Sequence, residues 1–202
     1  CRTYLAVGGA IDVPPAMGSR STYLGARLGG LEGRALKEGD LTRHGPAEPL
    51  ARLRHLPWYP LYGGKARLRA VPGPQDDFFR TSLATFFRSP YTVTAQANRM
   101  GYRLEGPALA REAGAPASIV SEPIVPGHIQ VPADGQPIVL LTEQTIGGYA
   151  KIATVITPDL FKVAQAKPGD TVRFVPVTLE EAHQAVREWV EYLEMIDARL
   201  AS

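Results

Sequence analysis

The sequence predicts a mainly β protein that ends in a single helix. Glycine and proline are frequent, with 20 and 18 copies among 202 residues, which is typical of chains built from many short strands and turns. Several segments alternate apolar and polar residues or are rich in β-branched residues, and both patterns favour strands. Only the last segment repeats apolar side chains at three- and four-residue spacing, as an amphipathic helix does.

The elements are predicted in chain order as follows. A first strand is expected at Tyr4–Val7 and a short helix in "PQDDFFRTSLATFF", with Gln75–Asp77 at its start. Further strands are expected in "ARLRAVPG", "YTVTAQANRMGYRLEGP", "PIVLL", "KIATVI" and "DTVRFVPV". The final helix is predicted in "TLEEAHQAVREWVEYLEMIDARLA", where Thr178 and Glu181 have the spacing of a capping box.

Two parts of the chain resemble each other and predict two domains. "YLAVGGAIDV…ALKEGDLTR" is similar to "YAKIATVITPDL…AQAKPGDTVR", and both copies place Lys-x-Gly-Asp before a strand. Prolines and Gly63-Gly64 make residues 44–65 the best candidate linker. We therefore expect residues 1–64 to form the C-terminal remainder of a first β-barrel plus a linker, and residues 65–202 to form a second, related barrel with the C-terminal helix. Because the chain begins at Cys1 and runs directly into a strand-like segment, we expect it to be the downstream part of a longer protein, with the first barrel truncated at its N-terminus.

Composition argues against several classes of function. The formal net charge is +2 and no basic block stands out, so neither nucleic acid nor a membrane surface is an expected partner. The single cysteine cannot form a disulfide within the chain, and there is no run of 18 apolar residues, so a cytoplasmic location is predicted. The four histidines are far apart in sequence and no metal site is expected.

Arginines define the first candidate site, in "NRMGYRLEG". On a strand, Arg99, Gly101 and Arg103 would share one face. Two arginines separated by a glycine would make a surface that accepts an anion. The alternative is an ordinary solvent-facing strand that carries arginines.

Glutamines define the second candidate site, in "SEPIVPGHIQVPADGQPIVLL". "DGQP" predicts a tight turn between two apolar runs, bracketed by Gln130 and Gln136. A glutamine amide recognises a carbonyl and an N–H together, as found in lactams and ureas. The alternatives are that both glutamines merely decorate a hairpin and that His128, a possible base, is an ordinary surface residue.

A glycine pair defines the third candidate site, in "LLTEQTIGGYAKIATVI". Backbone N–H groups around Gly147 and Gly148 could form an anion-binding nest, with Lys151 adding a charge and Gln144 and Tyr149 adding neutral hydrogen bonds. The spacing of a P-loop is absent. The default alternative is the tip of a hairpin between two apolar runs.

The motif series resembles a known family. "AVGGAIDVPPAMGSRSTYL", "GRALKEGD", "VPGPQDDFF", "NRMGYRLEG", "PGHIQVPADGQPIVLL", "QTIGGYAKIATV" and "KPGDTVRF" are similar, in this order, to the KipA / allophanate hydrolase subunit 2 family, also called the biotin-dependent carboxyltransferase family. The resemblance covers residues 1 to about 177. It implies cyclophilin-like β-barrels.

The resemblance also implies three alternative functions. The first is a subunit of an ATP-dependent 5-oxoprolinase that opens 5-oxo-L-proline to L-glutamate, active with a KipI/PxpB-type subunit (allophanate hydrolase subunit 1-like) and a LamB/YcsF (PxpA)-type protein. The second is a carboxyltransferase domain that moves a carboxyl group from carboxybiotin to urea or a similar amide, which would require biotin on another carrier. The third is a non-enzymatic regulator that binds a KipI-type kinase inhibitor. The first is the leading expectation, with ATP held by the complex.

The resemblance gives the candidate residues their expected roles. Substrates with a carbonyl flanked by N–H need donors for the carbonyl oxygen and a cation for a nearby anionic group. Lys151, Arg103 and Tyr149 are the expected catalytic residues. The expected substrate-binding residues are Arg99, Gln130, Gln136, Gln144, Gly147 and Gly148.

Overall fold

The computed structural model describes residues 2–48 and 63–201. The chain divides into two compact units, of which one spans Thr3–His55 and the other combines Cys1–Arg2 with Leu56–Ser202. Most of the predicted linker, as well as the apolar run Trp58–Tyr62, lies outside the described residues. In the described part of the chain, no helix is both long and apolar enough to cross a membrane.

The smaller unit contains little regular structure in residues 3–48. It has one 3₁₀ turn, Leu24–Ala26, and isolated β-bridges such as Ile11 with His44. The predicted strand at Tyr4–Val7 is wrong, because this segment forms no β-ladder with other described residues and its side chains Tyr4 and Leu5 are more than 80% exposed. An alternating pattern forms a strand only where a neighbouring strand supplies hydrogen bonds.

The larger unit is built around a closed β-barrel. The seven barrel strands are β1 (Lys65–Pro72), β2 (Pro90–Ala97), β3 (Gly101–Glu105), β5 (His128–Val131), β6 (Ile138–Leu140), β8 (Ala150–Val155) and β9 (Thr171–Pro176). They follow the order β1-β8-β5-β6-β3-β2-β9 around the ring. All neighbours are antiparallel except β1 and β9, which pair in parallel. The predicted mainly β fold, its barrel and its C-terminal helix are therefore confirmed.

A second, much smaller sheet lies outside the ring. It consists of β4 (Glu122–Pro123) and β7 (Ile146–Gly147), paired antiparallel with Glu122 opposite Gly147. We call these two strands the ribbon. The backbone N–H of Ile124 continues the pairing with a hydrogen bond of 2.9 Å to the carbonyl of Thr145.

Apolar side chains from alternate strand positions fill the barrel. Leu68 and Ala70 on β1, and Ile129 and Val131 on β5, are fully buried, as period-two alternation requires. The helix α1 (Arg80–Arg88) packs against the core of the barrel, where Phe86 stacks on a β9 phenylalanine with 4.5 Å between ring centroids. The short helix predicted in this segment is confirmed.

Two more helices lie on the outside of the barrel, α2 (Leu160–Gln165) and α3 (Leu179–Ala201). The predicted capping box of α3 forms, since Thr178 N–H donates to Glu181 Oε2 at 2.8 Å and Glu181 N–H donates to Thr178 Oγ1 at 3.2 Å. These reciprocal bonds satisfy two backbone donors that a helix start leaves open.

The two Lys-x-Gly-Asp segments form the same turn. In each, the backbone N–H of the lysine donates to the aspartate carboxylate, at 2.8 Å for Lys37 and Asp40 and at 2.9 Å for Lys167 and Asp170. In each, the aspartate N–H also donates back to the lysine carbonyl, at 3.1 and 3.0 Å. The glycines Gly39 and Gly169 have φ of +86° and +91°, a conformation that glycine adopts without steric cost.

Candidate functional site

A row of four side chains crosses the outer face of the barrel. Gln130 on β5 lies opposite Lys151 on β8 and opposite Ile138 on β6, and Ile138 lies opposite Arg103 on β3. Directly opposed residues on neighbouring antiparallel strands project to the same side at about 5 Å. Residues that are far apart in sequence thus stand side by side on one surface.

Strand alternation explains why this row faces outward. Ile129 and Val131 flank Gln130 and fill the barrel core, as do Tyr102 and Leu104 on either side of Arg103. The residues between them must therefore point to the opposite face. The sequence pattern alone places Gln130 and Arg103 outside the barrel.

A pocket of about 380 Å³ lies on this outer face and gathers four of the predicted site residues, Arg103, Gln130, Gln144 and Tyr149. Its full lining consists of Gln96, Asn98, Met100, Gly101, Arg103, Gln130, Ile138, Leu140, Gln144 and Tyr149. A pocket with one cation, several amides and an apolar floor fits a small polar ligand that carries one negative charge.

Arg103 is the one cation in this lining. Its side chain is exposed, and it makes no hydrogen bond or ion pair within residues 2–48 and 63–201. A guanidinium without a protein partner offers its donors to a ligand, and its planar fork matches a carboxylate. Arg103 is therefore positioned to offer its donors to an anionic group that enters the pocket.

The side-chain amides of the pocket already donate hydrogen bonds to backbone carbonyls. Gln130 is only 4% exposed, and its Nε2 donates to the backbone carbonyl of Tyr149 at 3.2 Å. Gln144 Nε2 donates to the carbonyl of Ile146. Gln144 keeps an oxygen and a second N–H with which it can meet a ligand, whereas the amide of Gln130 lies largely beneath Gly147.

Gln136 stands in a neighbouring pocket of about 450 Å³ that shares Gln96, Arg103 and Ile138 with the first one. Its amide is occupied by the backbone of Gly106, with Gly106 N–H donating to Oε1 at 2.9 Å and Nε2 donating to the Gly106 carbonyl at 3.2 Å. The predicted turn that precedes β6 forms, with Gly135 at φ +72°. Gln136 thus joins two backbone segments, which the sequence pattern did not indicate.

Arg99 is separated from Arg103. The strand β3 begins only at Gly101, because Asn98 Oδ1 accepts hydrogen bonds from the N–H groups of Met100 and Gly101 and turns the chain there. Arg99 forms an ion pair with Glu143, at 2.9 Å between Nε and Oε1, and does not line the pocket. The predicted pair of arginines on one strand face is therefore wrong.

Lys151 is buried beneath the ribbon. Its side chain is 3% exposed and its ammonium forms an ion pair with Glu122 on β4. Lys151 does not line the pocket, because Gln130 stands between the two in the row. In this structure Lys151 meets a carboxylate of the protein rather than open solvent.

His128, at the start of β5, lies near the same ion pair. Burial lowers the pKa of His128 below its usual value, and the charge of Lys151 lowers it further, while Glu122 acts in the opposite direction. Its Nδ1 accepts a hydrogen bond from the N–H of Val125 at 3.3 Å, which places the proton of the neutral ring on Nε2.

The glycine pair does not form a hairpin tip. Gly147 belongs to β7 and Gly148 follows it, and neither has positive φ. The flanking strands β6 and β8 are not neighbours, because β5 lies between them in the ring. A nest of amides needs a residue in the left-handed region, so the predicted nest is absent here.

Gly147 is instead needed for close packing. A Cβ added there would lie 2.6 Å from Nε2 of Gln130. The carbonyl of Gly148 accepts a hydrogen bond of 2.8 Å from the N–H of Ile119. The glycines therefore let the ribbon approach the barrel surface.

Three residues near the site were not predicted from the sequence. Gln96 and Asn98 line the pocket. Gln96 lies near the end of β2 and Asn98 directly after it, where polar residues replace the apolar ones. Glu122 pairs with Lys151. Its only signal is a carboxylate before a proline in a segment with no periodicity, which is too weak to single it out.

The described residues hold no group of three or more His, Cys, Asp or Glu side chains that could bind a metal ion. A separate pocket of about 390 Å³ lies within the smaller unit, where Arg20, Ser21 and Thr22 contribute to its wall. The guanidinium of Arg20 is directed at the carbonyl of Val13, at 3.2 Å from Nε. Its cation is thus partly occupied, unlike Arg103.

Similarity to known proteins agrees with this picture. The chain is 44% identical over 201 residues to the C-type subunit of 5-oxoprolinase from Escherichia coli, covering 98% of this chain and 64% of that protein. It is 38% identical over 195 residues to the C-type subunit of 5-oxoprolinase from Haemophilus influenzae, covering 96% of this chain and 62% of that protein. The chain thus spans somewhat less than two thirds of the length of these curated relatives.

A solved structure shares the fold. The crystal structure of K. lactis urea amidolyase superposes with a TM-score of 0.74 at 30% identity, covering 87% of this chain and 12% of that one. The family model "Carboxyltransferase domain, subdomain A and B" matches residues 1–176, in agreement with the resemblance expected from the motif series. The chain belongs to this carboxyltransferase-domain family.

Proposed function

We propose that this chain is part of a 5-oxoprolinase complex and contributes a binding pocket for 5-oxo-L-proline. The observation that carries the proposal is the unpartnered guanidinium of Arg103 beside the amides of Gln130 and Gln144. 5-Oxo-L-proline presents a carboxylate and, across a small ring, a lactam carbonyl next to N–H. The similarity to the corresponding subunits of two bacterial 5-oxoprolinases supports this choice of ligand.

The pocket residues have distinct roles in this proposal. Arg103 binds the carboxylate through its two parallel N–H groups. Gln130 and Gln144 orient the lactam with one donor and one acceptor each. The hydroxyl of Tyr149 donates to the lactam oxygen as charge develops on it during hydrolysis of the C–N bond.

The other expected site residues act indirectly. The ribbon next to Tyr149 is held by Lys151, Gly147 and Gly148. Gln136 holds the backbone beside the neighbouring pocket. Arg99 is paired with Glu143 and lies outside the pocket lining. None of these five residues contacts the ligand in our proposal.

ATP does not fit the described pocket. A triphosphate brings several negative charges and is usually held by more than one cation or by a glycine-rich nest. Arg103 is the single cation in the pocket lining. We therefore assign ATP to another subunit, of the KipI/PxpB type or the LamB/YcsF (PxpA) type, and expect activity only in the assembled, cytoplasmic complex.

The test uses the natural full-length protein assembled with its partner subunits. ATP-dependent formation of L-glutamate from 5-oxo-L-proline is measured for the wild type, Arg103→Gln and the control Arg99→Gln. We expect Arg103→Gln to raise KM at least about tenfold, as loss of a charge-assisted bidentate contact does, and Arg99→Gln to change it little. A wild-type complex without this activity would contradict the proposal.

A second function is favoured by a specific observation. The family model and the likeness to urea amidolyase support transfer of a carboxyl group from carboxybiotin to urea or a similar amide. Urea has no carboxylate, so Arg103 would then hold the carboxyl group being transferred. Binding of urea but not 5-oxo-L-proline to the isolated protein would favour this function.

The third function, regulation through a KipI-type inhibitor, predicts tight binding of such a partner without turnover in any combination.

We also propose that residues 1–64 and 65–202 are related units, with a linker between them. The identical hydrogen bonds of the Lys37–Asp40 and Lys167–Asp170 turns support this relation.

A further inference from the structure

The ribbon lies directly on the row of outward-facing side chains. Gln130 is 4% exposed and Lys151 is 2% exposed, although both stand on the outer face of the barrel. The cover over Gln130 is Gly147, whose added Cβ would collide with the glutamine amide. The cover over Lys151 is Glu122, the register partner of Gly147.

The ribbon is continuous with one wall of the pocket. Gln144 lies two residues before β7 and Tyr149 lies two residues after it, and both side chains line the pocket. Any change in the height of the ribbon above the barrel therefore moves these two side chains relative to Arg103, which is fixed on β3.

Backbone hydrogen bonds, such as that from the N–H of Ile119 to the carbonyl of Gly148, and side-chain contacts hold the ribbon in place. Ile124 packs against Ile138 and Leu140 in a small apolar cluster outside the main core. Gln130 donates to the carbonyl of Tyr149. A further polar tie is the ion pair between Glu122 and Lys151.

The two partners of this ion pair differ in their exposure to solvent. The ammonium of Lys151 is 3% exposed, whereas the carboxylate side chain of Glu122 is 43% exposed. Removing the carboxylate would leave a buried ammonium without its partner, which is costly in a medium of low dielectric constant. Lys151 would be stabilised by reaching solvent, and the ribbon that covers it is the part that this movement displaces.

We propose that Glu122 is a positioning residue, which acts through Lys151 to hold the ribbon against the barrel and thereby places Tyr149 and Gln144 in the pocket wall. The identity of the ligand rests on the function proposed above. The placement of the ribbon does not depend on that function, so the two can fail separately.

Amide hydrogen exchange of the full-length protein tests the placement directly. Glu122→Gln keeps the shape of the side chain and removes its charge. We expect exchange in residues 119–124 and 144–149 to quicken about tenfold or more, since local opening becomes easier, while residues 128–131 of β5 keep their rate. Glu122→Asp should give an intermediate rate because its carboxylate is retained on a shorter side chain.

The matched control is Glu143→Gln. It breaks another ion pair near the pocket, between Arg99 and Glu143, which lies in the segment that precedes β7, at a partly exposed side chain. We expect little change in the exchange of residues 119–124. Unchanged exchange in Glu122→Gln, or an equal increase in Glu143→Gln, would overturn the positioning role.

Kinetics of the assembled complex give the second readout. Glu122→Gln should raise KM for 5-oxo-L-proline several-fold with a smaller change in kcat, because the wall is displaced while Arg103 is intact. The double variant Glu122→Lys with Lys151→Glu, which reverses the ion pair, should have a KM closer to that of the wild type than Glu122→Gln has. An unaltered KM in Glu122→Gln would overturn the link between Glu122 and the pocket. A wild-type complex that lacks 5-oxoprolinase activity would refute the proposed function, and the exchange experiment alone would then decide the role of Glu122.

Discussion

Gln130 and Lys151 lie directly opposite each other on β5 and β8, and each holds one of the two chain segments that cover them. Gln130 reaches the carbonyl of Tyr149 after the ribbon, whereas Lys151 reaches the carboxylate of Glu122 within it. One register pair of the barrel thus fixes both the pocket wall and its support. The following predictions separate these contributions.

Arg103→Ala should weaken ligand binding without weakening the fold. The guanidinium is exposed and has no partner in the described part of the chain, so the free energy of unfolding should change by no more than about 0.5 kcal/mol. Affinity for 5-oxo-L-proline, measured by calorimetry, should fall at least about tenfold. Arg99→Ala is the control outside the pocket, and an equal loss of affinity there would argue against a specific role of Arg103.

Gly147→Ala should alter the pocket more than the overall stability. The added Cβ would lie 2.6 Å from Gln130 Nε2, so this amide must leave the Tyr149 carbonyl. We expect the loss of that hydrogen bond to lower the free energy of unfolding by about 1 kcal/mol and to weaken ligand binding. Gly63→Ala, where a Cβ meets no atom within 4 Å, should affect neither property in denaturant unfolding and calorimetry.

Gln136→Ala should destabilise the protein, since it removes both hydrogen bonds to the backbone of Gly106. The expected loss in the free energy of unfolding is about 1–2 kcal/mol. Gln96→Ala is the matched variant, because this exposed side chain lines the same pocket as Gln136 and has no side-chain partner in the described residues. If urea unfolding gave equal values for both variants, the bracing role of Gln136 would be refuted.

Asp159→Asn should cost the most stability of these variants. Asp159 is fully buried and accepts hydrogen bonds from Arg69 N, Nε and Nη2 and from Lys162 Nζ at 2.7–3.1 Å. Removal of the charge weakens these hydrogen bonds, and because both cations are about a third exposed and can turn to water, the free energy of unfolding should fall by about 2–3 kcal/mol. Asp77→Asn, at an exposed carboxylate, is the control.

The same carboxylate predicts sensitivity to acid. Burial by itself would raise the pKa of Asp159, but hydrogen bonds from Arg69 and Lys162 outweigh it, so the pKa lies below its usual value. A depressed pKa in the folded state gives stability that is present above the unfolded value near pH 4 and is lost as the pH falls further. Urea unfolding between pH 6 and 3 should show a smaller loss in Asp159→Asn than in the wild type.

His128 predicts a second dependence at higher pH. Its pKa is lowered, chiefly by burial, so the folded state prefers the neutral ring. Its contribution is present above the unfolded value near 6.5 and declines as the pH falls through the lower folded value. His128→Gln should therefore lose less stability than the wild type between pH 7.5 and 5, whereas the exposed His183→Gln should behave like the wild type.

Local signals in the sequence predicted much of the larger unit. The capping box at Thr178 and Glu181, the turn at Gly135 and the alternating runs of β1, β2 and β8 all depend on neighbours within a few residues. Such patterns report the local conformation of the chain directly.

The order of strands around the ring could not be predicted in this way. The pattern from Gly147 to Lys151 fits a hairpin, but β5 separates the flanking strands, a non-local arrangement that no short window records. For the same reason the ion pair between Glu122 and Lys151 was not foreseen, because it joins residues brought together only by the ribbon. Arg99 was misplaced because the turn at Asn98 interrupts the strand pattern there.

The parallel seam between β1 and β9 has a consequence for biosynthesis. Lys65 pairs with Thr171, so the ring closes over a loop of about a hundred residues. β9 also fills the gap beside β2, and until it is translated two strand edges stand open to other nascent chains. Contacts of such long range slow folding, so ribosome-bound chains that end before Thr171 should depend on chaperones far more than chains that extend past Pro176.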